Sequence, residues 1–171
     1  EFDLLKQLVV LKTYMTYPLR NDFADMKIIK KKDLKNEDKN KNYLVLDGNK
    51  KEFHINAYKN KDRLGSRIYK VDNKLNRVIN LWLKHNKSGY YLPQNDKKTP
   101  MNPNNLTKFL NKIFKKEFNK SISTSMIRHI TISHLLKDKK TLKEQEKENK
   151  EIENKFLHSK GINDLYRKVD E

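Results

Sequence analysis

The chain has 171 residues, of which 36% are charged and 35% hydrophobic, and its formal net charge is +17. It contains no cysteine, which excludes disulfides, thiolate catalysis and cysteine-based zinc sites. It has no apolar run of membrane-spanning length and no recognisable signal peptide, so we expect no membrane partner. Its hydrophobic residues are clustered, which predicts a folded core in one domain, with or without a tail.

The positive charge favours a polyanionic partner, and nucleic acid is the commonest one. Lysine and asparagine are abundant throughout the chain, as an AT-rich genome would produce. Codon bias is therefore an alternative source of part of the charge. Nucleic acid is still favoured, because some of the basic residues are arginines in distinct local patterns.

The first part of the chain is predicted to be helical. Apolar residues at near-helical spacing predict a helix over residues 2–16, and Pro18 ends or redirects it. A short helix with its N-cap at Asn21 or Asp22 is predicted to follow. Its apolar side would consist of Phe23, Met26 and Ile29.

A small sheet is predicted next. A charged connector, residues 30–42, precedes three short runs with strand character, which are residues 43–47, 52–58 and 66–71. The turn Gly-Asn joins the first two runs, and the loop KNKDRLG joins the last two. The pattern predicts an antiparallel sheet of three strands.

The remainder is predicted to be helical, over residues 73–86, 104–118 and 123–138. Residues 139–155 are very polar and fit either a solvated helix or a mobile arm. A last short helix begins near Ile162. The fold class is therefore α+β, mainly helical with one small sheet.

Two arginines are candidate anion-binding residues. Ser125 and Arg128 share a face of the helix predicted at 123–138. Arg128 lies at the edge of the expected buried stripe, where a partly desolvated guanidinium needs an anionic partner. Arg20 opens the short helix after Pro18, where free N–H groups and the helix dipole favour anions. The stripe is expected to consist of Ile127, Ile130 and Leu135.

Each arginine also has a plainer interpretation. Arg128 in an ordinary ion pair with an acidic side chain is favoured when its segment is considered alone. Arg20 fits a structural ion pair with Asp22 or Asp25 equally well.

Two further groups of residues are candidates. Lys59, Lys61 and Arg63 crowd a hairpin loop, and a basic hairpin tip can follow a phosphate backbone, although a solvated loop is the commoner case. Tyr166 lies on an apolar stripe near the end of the chain, with His158 before it across a glycine. Taken alone, Tyr166 fits a packing role and His158 a structural one.

The order of these residues along the chain resembles the catalytic domain of the tyrosine recombinases, the lambda-integrase-like family. PLRNDFADMKI resembles the first-arginine box, AYKNKDRLG the lysine hairpin, SMIRHITISHLL the second-arginine box, and FLHSKGINDLYRK the histidine-to-tyrosine box. The resemblance covers nearly the whole chain, residues 1–171, and suggests the integrases of viruses with AT-rich genomes, including virophages. It implies that the catalytic residues are Arg20, Lys59, Arg128, His158 and Tyr166.

The resemblance implies an enzyme that integrates or recombines double-stranded DNA at specific sites through a 3′-phosphotyrosyl intermediate. Lys61, Arg63 and Ser125 would contact the DNA, and Lys61 is the alternative to Lys59 as general acid. No metal, ATP or other cofactor is implied. Self-association on DNA, as a tetramer in the synaptic complex, is also implied.

The chain departs from the family pattern at three points. Ser125 stands where the family usually has histidine or lysine, and the interval from His158 to Tyr166 is slightly short. The family's N-terminal DNA-clamping domain is expected to be missing, because the chain starts within a helix. Residues 139–171 would then be a polar tether that carries the nucleophile.

Three alternatives remain open. A type IB topoisomerase or a telomere resolvase would use the same residues. A non-catalytic DNA-binding module derived from a recombinase would retain the basic residues without the chemistry. A basic structural protein would leave the candidate residues scattered over the fold.

Overall fold

The fold is that of a computed structural model, which describes residues 1–135, 147, 149–153 and 155. In chain order the elements are helix α1 (Phe2–Thr16), strand β1 (Lys27–Lys30), a 3-10 helix (Lys31–Asn36), strands β2 (Tyr43–Asp47) and β3 (Lys50–Ile55), the one-turn helix α2 (Lys61–Leu64), strand β4 (Arg67–Lys70), and helices α3 (Asn73–His85), α4 (Pro103–Phe118) and α5 (Thr124–Leu135). Residues 149–153 are also helical. The α+β class is therefore confirmed.

Helix α1 forms where its sequence predicted it, but it buries a different face from the one its leucines suggest. The buried face combines two valines with polar side chains. Its members are Lys6, Val9, Val10, Thr13 and Tyr14. Leu4 and Met15 are 68% and 69% exposed. The buried Thr13 hydroxyl lies 2.6 Å from the Tyr91 hydroxyl, so a hydrogen bond satisfies both polar groups.

The sheet has four strands in the order β1-β2-β3-β4 among the described residues. Strands β2, β3 and β4 pair antiparallel, as the sequence predicted. Strand β1 adds a parallel edge to β2, with Lys27 opposite Tyr43. The prediction of a three-stranded antiparallel sheet was therefore wrong in strand number and in the direction of one pair.

Strand β1 occupies the place where a short helix and the charged connector were predicted. Residues 20–25 form turns, and the extended chain begins at Lys27. Ile28 packs against the main core, whereas Ile29 packs with Tyr43 and Val45 in a second cluster. Consecutive side chains on opposite faces are a strand property, which explains why the helical interpretation fails here.

Aromatic rings fill the space between the sheet and helices α1 and α3. The ring of Phe53 lies 5.1 Å from that of Phe23 and 5.4 Å from that of Tyr91, both in edge-to-face geometry. The indole nitrogen of Trp82 donates a hydrogen bond to the Tyr91 carbonyl at 2.9 Å. This core supports the loop that carries Arg20, because Phe23, one of its rings, lies three residues after Arg20 in the chain.

Helices α3, α4 and α5 occur where helices were predicted, and side-chain caps begin the first two. The Asp72 carboxylate accepts from the Leu75 N–H, and the Asn102 side chain accepts from the Asn105 N–H. Asn119 ends α4 in the left-handed conformation, with φ 52°. These local signals explain why the ends of α3 and α4 were predictable.

The buried face of α5 differs from the stripe that was predicted. Thr124, Arg128 and Ile132 are at most 3% exposed, whereas Ile130 is 53% exposed. The buried positions are spaced by four residues, so one helical stripe includes Arg128 and leaves Ile130 outside. Arg128 was predicted at the edge of the stripe, and it lies at its centre.

The described part of the polar segment packs against the protein. Within residues 149–153, Asn149 and Ile152 are 6% and 4% exposed. They are three positions apart and share one helical face. These residues thus have a buried side, unlike a fully solvated helix or a free arm.

Candidate functional site

Arg20 lies in the loop between α1 and β1, and that loop is tied down at its backbone. The Tyr14 hydroxyl donates to the Arg20 carbonyl at 2.6 Å, and the Arg20 N–H donates to a carboxylate oxygen of Asp22 at 3.1 Å. No helix begins at Arg20, so the predicted contribution of a helix dipole is wrong. Hydrogen bonds and the buried Leu19 hold the arginine in place instead.

A buried asparagine connects this loop with the sheet. The Asn42 side chain donates to the Asp22 carbonyl at 2.9 Å and to the Ala57 carbonyl at 3.0 Å. Its oxygen accepts from the backbone N–H groups of Asn56 and Ala57. Asn42 therefore fixes the Arg20 loop to the chain that enters the lysine hairpin. This role was not predictable from sequence, because Asn42 ends a run rich in lysine and asparagine.

Arg128 acts on the same carboxylate as Arg20. Burial raises the pKa of Asp22, while the Arg20 N–H and the charges of Arg128 and Arg20 oppose that rise. The charges of both guanidinium groups therefore limit the rise of the Asp22 pKa. The fold thus brings the charges of both guanidinium groups within electrostatic range of one carboxyl group, although Arg20 and Arg128 lie far apart in the sequence.

Two tyrosines of the sheet region border this centre. Burial raises the pKa of Tyr69 well above its usual range, and its hydroxyl also senses Tyr58, Arg67, Asp22 and Arg128. Burial likewise raises the pKa of Tyr58. Both phenols therefore stay protonated at neutral pH. They escaped the sequence analysis because a tyrosine near a strand is usually a packing residue.

The basic hairpin follows Tyr58 directly in the chain. Its tip forms the one-turn helix α2 where a plain loop was predicted, and Gly65 ends it at φ 69°. The Tyr58 hydroxyl donates to the Gly65 carbonyl at 2.7 Å. The charge of Arg63 lowers the pKa of Tyr58, while that of Asp22 raises it. Tyr58 thus lies between the hairpin tip and the centre.

The three basic residues of the hairpin have different surroundings. Lys59 is exposed, and no described contact brings it to either arginine of the centre. The Lys61 ammonium donates to the side-chain oxygen of Asn40 at 2.7 Å. Arg63 forms an ion pair with Glu153, with 2.6 Å between Nη1 and Oε1. The hairpin tip is therefore joined to the helical residues 149–153.

Ser125 lies in the first turn of α5 and is exposed, whereas Thr124 and Arg128 are buried. The Ser123 side chain accepts from the Met126 N–H at 3.3 Å and serves the start of the helix. The Ser125 hydroxyl is thus accessible one turn before Arg128. It supplies hydrogen bonds but no charge.

His158 and Tyr166 lie outside the described residues, so their places relative to the arginines stay predictions. Glu153, five residues before His158 in the chain, forms the ion pair with Arg63. Within the part of the chain that the structure describes, no group of three His, Asp or Glu side chains is suited to hold a metal ion.

Comparisons with models of protein families, with curated proteins and with solved structures return no match for this chain. Of the helices that the structure describes, none has the length and apolar character to cross a membrane.

Proposed function

We propose that the chain is a DNA strand-cleaving and strand-joining domain of the tyrosine recombinase type. The observation that carries the proposal is the pair of arginines at one anion. Arg20 and Arg128 come from distant segments, and both act on the Asp22 carboxylate. A carboxylate and a phosphodiester each present two oxygens that share a negative charge, and arginine binds such a pair with two parallel N–H groups.

The burial of Arg128 suits it to stabilise charge in a reaction. Arg128 is 3% exposed, so water screens its charge little. In phosphoryl transfer, charge on the non-bridging oxygens must be neutralised, and fixed cations do this without reorganisation. One such contact at about 4 Å and an effective dielectric near 20 is worth roughly 4 kcal/mol. Two arginines therefore supply a substantial part of the required stabilisation.

The chemistry is a transesterification. The Tyr166 oxygen attacks phosphorus and forms a phosphotyrosyl bond to the 3′ side, while the bond from phosphorus to the 5′ oxygen breaks. The tyrosine proton passes to solvent water as the phenol attacks, and Lys59 gives a proton to the 5′ oxygen, with Lys61 as the alternative donor. Attack by a 5′ hydroxyl reverses the step. The energy of the ester bond is kept throughout, so the reaction consumes no ATP.

Tyr58 and Tyr69 are poorer candidates for the nucleophile. Burial is the main cause that raises the pKa of each phenol, and a phenol that resists ionisation attacks phosphorus slowly. The Tyr58 hydroxyl also donates a hydrogen bond to the Gly65 carbonyl, at 2.7 Å. The proposal therefore keeps Tyr166 as the nucleophile.

A second candidate function is a DNA-binding module without catalysis. The exposed Ser125 favours it, because a hydroxyl replaces the cationic side chain that the family usually carries there. Such a module would keep the arginine centre and the basic hairpin for binding. It would form no covalent product.

A nicked duplex that loses its leaving strand separates the two candidates. The proposed enzyme should form a covalent protein–DNA adduct that survives denaturing gel electrophoresis, and Tyr166→Phe should abolish it with little loss of binding. Tyr90→Phe is the matched control, since it removes the hydroxyl of another tyrosine. Binding without an adduct in the unmodified protein would leave only the binding module.

The choice among strand-exchange enzymes needs a second measurement. Paired DNA sites incubated with the protein should yield recombinant junctions, and we expect the active species to be a tetramer on two duplexes. Relaxation of supercoiled DNA without joined products would favour a type IB topoisomerase instead.

A further inference from the structure

We propose that Arg63 is an anion-exchange site, which holds the Glu153 carboxylate in the free protein and a DNA phosphate in the complex. The inference rests on the proposed function only in taking DNA as the ligand. It concerns a contact inside this chain, between the tip of the lysine hairpin and the helical residues 149–153. It assigns Glu153 the role of an internal competitor of DNA.

The geometry of the pair supports exchange with an external anion. Nη1 of Arg63 lies 2.6 Å from Oε1 of Glu153, so the carboxylate takes one edge of the guanidinium. The Arg63 side chain is 53% exposed, whereas the Glu153 side chain is 20% exposed. The arginine side chain is therefore partly open to solvent, from which a phosphate can approach.

The two partners belong to supported pieces of structure. The hairpin tip is held by the Tyr58 hydroxyl on the Gly65 carbonyl and by the Leu64 N–H on the Asn60 carbonyl. Ile152, next to Glu153, is 4% exposed, so the helical residues 149–153 are packed through an apolar contact as well. Loss of the ion pair therefore leaves both pieces folded. This is what a reversible exchange requires.

The position of the pair connects it with the arginine centre. The Tyr58 hydroxyl contacts the hairpin tip at the Gly65 carbonyl, 2.7 Å away, and the charges of Arg63 and Asp22 both act on the pKa of Tyr58. An exposed ion pair is a weak competitor, because water and salt screen it. A phosphodiester backbone, with its high charge density and release of counterions, competes with it successfully.

The chain supplies a matched control for this contact. Glu151 lies two residues before Glu153 on the same helix and is exposed. Glu151→Gln and Glu153→Gln remove the same charge from nearly the same place, but only Glu153→Gln removes the partner of Arg63. Any general effect of charge on DNA binding is therefore common to both variants.

The test measures binding of a short DNA duplex as a function of salt for four proteins besides the unmodified chain. They are Glu153→Gln, Glu151→Gln, Arg63→Gln and the double variant Arg63→Gln/Glu153→Gln. Glu153→Gln should bind up to about fivefold more tightly than Glu151→Gln, which is the range of an exposed ion pair. Arg63→Gln should lower the slope of log affinity against log salt by about 0.9. In the double variant, the advantage of Glu153→Gln should disappear.

Equal affinities for Glu153→Gln and Glu151→Gln would overturn the proposal, as would an unchanged salt slope in Arg63→Gln. Circular dichroism on each variant identifies any that has lost its fold, and the double variant then serves as the second test. The adduct assay is read separately. Binding that follows this pattern without adduct formation would refute the proposed enzymatic function and would still support the anion exchange.

Discussion

Replacement of Arg128 by methionine tests the arginine centre most directly. Methionine has a similar length and suits a buried position, so Arg128→Met removes the charge and leaves the packing of α5 largely intact. We expect the rate of adduct formation on the nicked duplex to fall. Binding of the duplex should weaken much less, because most phosphate contacts lie elsewhere on the basic surface.

The size of the loss follows from the surroundings of Arg128. A guanidinium at about 4 Å from a phosphate oxygen, in an effective dielectric near 20, contributes roughly 4 kcal/mol, or about a thousandfold in rate. Arg128 is 3% exposed, so screening by solvent reduces this little. The Asp22 carboxylate shares the site and offsets part of the gain. The expected loss is therefore roughly a hundredfold to a thousandfold.

The assay is single-turnover formation of the adduct, with protein in excess of DNA. Arg77→Met is the matched control, because Arg77 is an exposed arginine on α3. Arg128→Lys keeps the charge but loses the planar fork, and it should fall between the unmodified chain and Arg128→Met. An Arg128→Met protein that folds and reacts within about tenfold of the Arg77→Met control would refute the reasoning.

Three further predictions concern the support of the site. Asp22→Asn should gain stability relative to the unmodified chain as the pH rises from about 3 to about 7. The pKa of Asp22 is raised on folding, so the neutral carboxyl stabilises the folded chain and this stabilisation is lost as the carboxyl ionises. Denaturant midpoints at both pH values measure this, and a pH-independent difference would contradict it. Asn42→Ala should lower the unfolding free energy by about 2–4 kcal/mol, since four hydrogen bonds of a buried side chain are lost; urea titration measures it, with the exposed Asn104→Ala as control. Phe53→Ala should cost about 3–5 kcal/mol in the same titration, because its ring contacts three other aromatic rings in the core, and a loss under about 1 kcal/mol would contradict the described packing.

The parts of the fold that sequence predicted are those with a clear local period. Helices α3 and α4 have apolar residues at helical spacing and capping residues at their starts, and β2 is an apolar run beside a turn. Strand β1 was missed because it has four residues with a lysine at each end. Its pairing with β2 is parallel, and no turn between neighbouring strands signals such a pair.

The arginine centre was predictable only in part. Arg20 and Arg128 could be selected because each lies in a segment with a recognisable box. The contribution of Asn42, Tyr58 and Tyr69 depends on tertiary contacts between the sheet and the loop after α1, and no local period encodes those contacts. The same holds for the exposure of Ile130, because the packing of α5 against its neighbours determines which of its stripes is buried.

The anchoring of Arg20 has a consequence for the energetics of ligand capture. Its carbonyl and its N–H are both engaged in the free protein, by Tyr14 and Asp22. Fixing the backbone of one residue costs about 1–2 kcal/mol of conformational entropy, and folding has already met that cost here. Capture of an oxyanion by Arg20 therefore has to order only the rotatable bonds of the side chain, and a larger share of each new hydrogen bond remains as affinity.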